Sequence, residues 1–198
     1  MQYPLTFPKT LKTERLGLNR RQSATESTWT YRQQTVHTAS QWALEWTWPQ
    51  MRLSEAEAVS AWLLSLRGQI GTFRYYPRQS RTSMLAGVVL GIPGYAYNNT
   101  IQAHGYAANV NTTLRIGQFF QLGDQLLRIV EAPAFSDAAG NATITFEPEL
   151  RLTYGAGTVL NFTNPSGLFR LASSDATTYT LDPDRAPEFG TVSAREVI

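Results

Sequence analysis

Between Gln41 and Trp48 the chain sets Trp42, Leu44, Trp46 and Trp48 at alternate positions, with Ala43, Glu45 and Thr47 between them. Side chains of a strand point to opposite faces in turn, so this period of two gathers all four large groups on one side. A face with three indoles needs a covering layer. Pro49 ends the strand because it has no N–H for a ladder. The cover is encoded next. Ser54 reads as a helix N-cap with Glu57 three residues on, and Ala58, Val59, Trp62, Leu63 and Leu66 form one apolar stripe. Arg67 suits the negative helix end, and Gly68 can take the left-handed conformation that closes it. The spacing predicts a helix over 55–67 packed on the tryptophan face, with Trp42, Trp46, Trp48, Trp62, Leu63, Leu66 and Gly68 as its structural core.

Strands are expected on either side. Arg15 to Asn19 reads as a short one, and Trp29 to Val36 as another with Trp29 and Tyr31 on one face. Gly71 to Tyr76 leaves the helix. From Leu85 to about Thr163 the chain becomes rich in Gly and Asn and poor in positive charge. Short strands near Thr113–Phe120, Gln125–Val130, Ala142–Phe146 and Thr158–Phe162 alternate there with turns at Gly123-Asp124 and Gly140-Asn141. Gly167–Ala172, Tyr179–Leu181 and Phe189–Val192 return to the earlier style, and Asp182-Pro183-Asp184 reads as a turn. The expectation is a mainly β protein in which a discontinuous domain, about 1–84 plus 165–198, carries an inserted β-sandwich or barrel module over 85–164.

Composition narrows the chemistry. Only 16% of the 198 residues are charged, and Thr, Ser, Asn, Gln and Gly fill the gap, which suits strands and turns. With no cysteine, disulfides, thiolate metal sites and cysteine nucleophiles are excluded. The two histidines, His37 and His104, have no neighbouring ligands in sequence, so no metal or other cofactor is expected. The first eight residues do not read as a secretory leader, and no apolar run approaches the length of a membrane span. Synthesis in a cytoplasm, without membrane insertion, is the expectation.

Charge is uneven: residues 1–82 carry eleven Lys/Arg against five Asp/Glu, while 83–165 and 166–198 each carry three against five. That asymmetry suits subunits meeting head to tail, but is too weak to imply nucleic acid alone. Glu147 and Glu149 would share a strand face if the strand survived Pro148, a spacing compatible with glycoside hydrolysis, although a solvated strand end is the plainer reading. No nucleophile elbow or phosphate-cradling loop is present, so no enzyme is expected. Arg20-Arg21 is either a solvated turn or a contact to a neighbouring subunit or a lumen. Tyr95, Tyr97 and Tyr106 offer a possible ligand platform, and with the tryptophans they motivate an alternative reading as a carbohydrate-binding β-sandwich.

Several segments, in order, resemble the distal tail proteins of long-tailed bacteriophages. The first is Trp46-x-Trp48-Pro49-x-Met51, then Glu55 through Gly68, then Gly71-Thr72-Phe73. The second is Leu114-Arg115-x-Gly117-x-Phe119-Phe120-Gln121-Leu122-Gly123, followed by Arg128-Ile129-Val130 and by Ala139-Gly140 through Arg151. The third is Asn164-Pro165-x-Gly167-x-Phe169-Arg170-Leu171. Together they cover about half the chain. The resemblance implies a split-barrel or sandwich belt domain with one helix and an inserted β module. It also implies a structural role in the virion: a homo-oligomeric ring, commonly hexameric, at the end of the tail. Such a ring meets the tail-tube protein on one face and the hub or central fibre proteins on the other, with DNA only passing through its lumen. No catalytic residue comes with that role.

Overall fold

The computed structural model describes residues 10–78, 87–175, 179–181 and 187–197. The first nine residues and the turn expected at Asp182-Pro183-Asp184 lie outside them. The protein is mainly β, with one helix among the described residues.

The first sheet contains β1 (Thr13–Glu26), β2 (Gln33–Thr47), β13 (Val192–Glu196), β10 (Gly167–Leu171) and β3 (Phe73–Tyr75), antiparallel and in that order. It curls until its two edges meet: the Tyr75 hydroxyl on β3 donates to the Glu14 carboxylate on β1. The tryptophan face of β2 lines the inside. Helix α1 (Leu53–Ser65) covers part of it, and Ala56, Val59, Trp62 and Leu63 are its buried residues. Rings meet largely edge to face: Trp46 with Trp48 at 5.8 Å, Trp48 with Trp62 at 6.4 Å and Trp62 with Phe73 at 5.4 Å between centroids. That geometry sets a positive ring edge against a negative ring face. A small ladder of β11 (Tyr179–Leu181) and β12 (Pro187–Phe189) adds Phe189 against Trp48 at 5.3 Å.

The helix differs from expectation at its start. Its cap is Arg52, not Ser54, and the reciprocal bond comes from Glu55, whose carboxylate accepts the Arg52 N–H at 3.0 Å. The stripe holds at Val59, Trp62, Leu63 and Leu66, all buried, but its first member is Ala56, and Ala58 is exposed. At the far end both Arg67 and Gly68 are left-handed, and the Gly71 N–H closes on the Leu66 carbonyl at 2.7 Å.

The second sheet runs β4 (Val89–Leu90), β5 (Thr100–His104), β8 (Asn141–Glu147), β7 (Gln125–Glu131), β6 (Phe119–Leu122) and β9 (Leu160–Asn161). Backbone bonds from Leu90 N–H to Thr158 O and from Leu160 N–H to Val88 O, both 2.9 Å, join its ends into a small barrel. The expected strand over Thr113–Phe120 shrinks to a start at Phe119, while β4 and β5 were not foreseen. The barrel interior holds Phe120, Leu122, Leu127, Ile129, Ile144 and Phe146 among others. The residues before two of these, Phe119 and Leu126, point outward from the barrel and are buried in the other core.

A correction concerns the projecting arm that β1 and β2 form together. Trp29–Val36 is not a separate strand. β1 and β2 form one long hairpin, paired from Thr13↔Thr47 to Glu26↔Gln33, and Trp29 and Tyr31 lie in its terminal loop. From Asn19 to Ala39 nearly every residue is exposed, so the hairpin stands out from the body by roughly 25 Å.

Trp62→Ala should cost about 3–5 kcal/mol in denaturant unfolding, because it empties the centre of the aromatic cluster. Trp29→Ala, at a residue 92% exposed, should shift stability by no more than about 0.5 kcal/mol.

Candidate functional site

The hairpin carries one irregularity. Arg21 pairs with Ala39 but Gln22 pairs with His37, so Thr38 is an extra, unpaired residue, a β-bulge. A bulge bends a strand and re-aims the side chains beside it. Here it sits where the arm leaves the body, facing the segment that follows β8. Pro148 ends that strand, so Glu147 and Glu149 do not continue a shared face into solvent. Both are met by the arm. Arg20 pairs with Glu147 at 3.4 Å. Ser40 donates its hydroxyl to Glu149 Oε2 at 2.6 Å and its N–H to Oε1 at 3.2 Å, and His37 Nε2 lies 3.4 Å away. Burial acts to raise the Glu149 carboxyl, but the bonds from Ser40 and His37 outweigh it and hold it below the ordinary range.

Arg151 completes the junction, donating to the Ser40 carbonyl at 2.6 Å and lying 3.6 Å from Glu196 Oε2. Glu196 is fully buried; its Oε1 accepts the Leu126 N–H at 2.8 Å, while the Trp42 indole donates to the Leu126 carbonyl at 2.7 Å. There is a reason for this exchange. β8 pairs with β7 only from Arg128 onward, so on that side Leu126 has no strand partner. Buried backbone groups must be satisfied, and the first sheet supplies both partners. Burial pushes the Glu196 carboxyl up to about 7, a rise opposed by the Leu126 N–H and by Arg151.

Between arm root and barrel lies an open cleft with two adjoining lobes of about 790 and 440 Å³. Arg20, Thr38, Tyr97 and Glu149 border both lobes. Arg21, Arg151 and Arg195 border the larger one. The structure thus brings together residues the sequence had singled out separately: Arg20, Arg21, Tyr97, His37, Glu147 and Glu149. Arg20 is engaged by its own chain. Among the described residues no acid lies within ion-pair distance of Arg21 or Arg195.

The three tyrosines do not form one platform. Tyr97 is 82% exposed over the cleft, whereas Tyr95 is exposed but does not line it. Tyr106 packs against the barrel core, and burial pushes its hydroxyl up to about 12. Thr38, Ser40, Arg151, Arg195 and Glu196 were not foreseen; no periodicity marks them, because each acts through a partner distant in sequence. The core residues Trp42, Trp46, Trp48, Trp62, Leu63 and Leu66 are all buried. Gly68 packs against Ser174, whose Cα would lie 3.2 Å from an added Cβ.

In comparisons with known proteins, no family model and no curated protein matches the chain.

Two measurements probe the junction. Gly167 has no room for a side chain: a Cβ there would meet Phe169 Cε2 at 2.8 Å and Leu126 Cβ at 3.0 Å. Gly167→Ala should lose about 1–3 kcal/mol in denaturant unfolding. Glu196 titrates from an ordinary 4.5 when unfolded to about 7 when folded. The folded state therefore binds the extra proton between those values, and this group's contribution to stability falls as pH rises through that window. Glu196→Gln keeps an oxygen for Leu126 but cannot ionise. The variant should gain stability relative to the parent between pH 5 and pH 8, read as the difference of two melting series; a constant difference would remove Glu196 from the pH response.

Proposed function

We propose that the protein is a structural component of a bacteriophage tail tip. In this reading about six copies close into a ring that joins the tail tube to the hub or fibre proteins, with DNA passing through the lumen. The observation that carries the reading beyond sequence resemblance is the arm. Residues 19–39 form a two-stranded ribbon exposed on both faces, tipped by Trp29 at 92% and Tyr31 at 77% exposure. An isolated hairpin is at best marginally stable in water. Such a ribbon gains its stability by lying against another surface, and a head-to-tail ring offers every arm the same surface on the next copy. Its loop is already formed: the Ser27 N–H donates to Arg32 O at 3.0 Å and the Tyr31 N–H to Ser27 O at 2.9 Å.

Ring formation is tested by negative-stain electron microscopy of the concentrated protein, alone and with tail-tube protein. Closed rings with a central hole are expected. Replacing residues 24–35 by a two-residue Asn-Gly turn keeps the Ser23↔Val36 pair and should leave the melting temperature within a few degrees of the parent. The shortened protein should not close rings. Rings of unchanged diameter from it would free the arm of this role, and monomers from the full chain even with tube protein would overturn the ring reading.

A further inference from the structure

We infer that the cleft at the root of the arm binds an acidic saccharide, with Tyr97 stacking on a sugar ring and Arg21 and Arg195 receiving its anionic groups. Four observations converge. The first is size: the two lobes fall in the range of small-molecule sites and suit a short oligomer. The second is Tyr97. It holds a left-handed backbone, φ +68°, fixed by an N–H bond to the Leu150 carbonyl at 2.6 Å. A bulky residue in that conformation marks a position determined by its surroundings. With its backbone so held, its side chain borders both lobes yet is left in solvent, which is the placement of a stacking platform.

The third observation is charge. Arg20 and Arg151 are engaged by Glu147, Ser40 and Glu196, whereas Arg21 and Arg195 lack an ion-pair partner among the described residues. They flank β2 at different heights, Arg21 opposite Ala39 and Arg195 opposite Ala43, so their charges are spread along the cleft instead of focused on one point. An extended ligand with spaced anionic groups fits that arrangement. The fourth is the rest of the lining. Asn19, Gln22, Thr38, Gln41 and Asn99 supply amides and a hydroxyl, groups that both donate and accept and so match sugar hydroxyls. A peptide partner would look for the apolar anchors that dominate protein interfaces. Single-stranded nucleic acid also stacks on aromatics beside arginines. Glu147 and Glu149 in the same wall disfavour so dense a polyanion and tolerate a sparsely charged one.

The anion can be a carboxylate, as in a uronic acid, or a phosphodiester between sugar or polyol units. Calorimetric titration of the full chain with a galacturonate oligomer and with a glycerol-phosphate oligomer separates these sources. A neutral galactose oligomer, oligothymidylate and a polyglutamate peptide serve as competitors. One acidic oligomer should bind below millimolar and at least roughly tenfold tighter than the neutral one, and should weaken with added salt. Tyr97→Ala should weaken it roughly tenfold, as loss of a stacking platform does, while Tyr97→Phe retains binding. Arg21→Ala and Arg195→Ala should each draw the acidic affinity towards the neutral one. These side chains make no core contact, so unchanged melting is the check on folding. The inference is overturned by absence of binding to both acidic oligomers at millimolar concentration, by equal affinity for acidic and neutral oligomers, or by Tyr97→Ala binding as the parent does. It is equally overturned if oligothymidylate or polyglutamate binds tighter than either saccharide. None of these outcomes bears on ring closure, which Tyr97→Ala should leave intact.

Discussion

Leu126 is the residue on which the two sheets depend. Its N–H and C=O face the side of β7 that β8 has already left, so neither finds a partner in the barrel. Glu196 accepts from one and the Trp42 indole donates to the other, while the Leu126 side chain packs into the tryptophan core. Losing either partner would strand a buried backbone group, which costs more than a typical hydrogen bond contributes. The neighbouring bonds follow from this anchor. With Glu196 drawn inward, Arg151 lies over it and reaches Ser40, and Ser40 in turn ties down Glu149.

The apolar side of this junction is built from two doublets, Phe119-Phe120 and Leu126-Leu127. In each, the first residue fills the curled sheet and the next fills the barrel. The β6–β7 hairpin is therefore a wall between two cores, with no solvent face where they meet. Phe119 stands 5.6 Å from Trp42 and also receives the Arg128 guanidinium over its ring at 5.2 Å. Close-packed interiors yield little under strain, so the two halves share one mechanical unit along this wall.

The parts of this fold that were legible in sequence are those with one buried face. The alternation of Trp42, Leu44, Trp46 and Trp48, and the stripe through Val59, Trp62, Leu63 and Leu66, each report a period because burial imposes one. The arm is long and regular, yet both its faces are wet, so Gln22 to His37 shows no alternation to read. The doublets were in plain view, and two adjacent apolar residues on a strand do say that both faces are buried. The site was legible only in pieces. Arg20 and Glu147, or Ser40 and Glu149, are more than a hundred residues apart, and nothing local announces their meeting.

Thr38 has a further consequence. Alternation along a strand is a two-valued phase, and one inserted residue inverts it for everything beyond. From Ser40 to Trp46 the even-numbered residues of β2 share the tryptophan side; beyond Thr38 the odd-numbered ones, His37, Thr35 and Gln33, take that side, while β1 keeps its alternation throughout. Which residues of β2 the distal arm presents on each side is therefore set by a single residue at its root, while β1 carries the body's own alternation straight into the arm. The bulge thus lets β2 carry one residue more than β1 while every cross-strand pair beyond it, from Gln22↔His37 to Glu26↔Gln33, is kept.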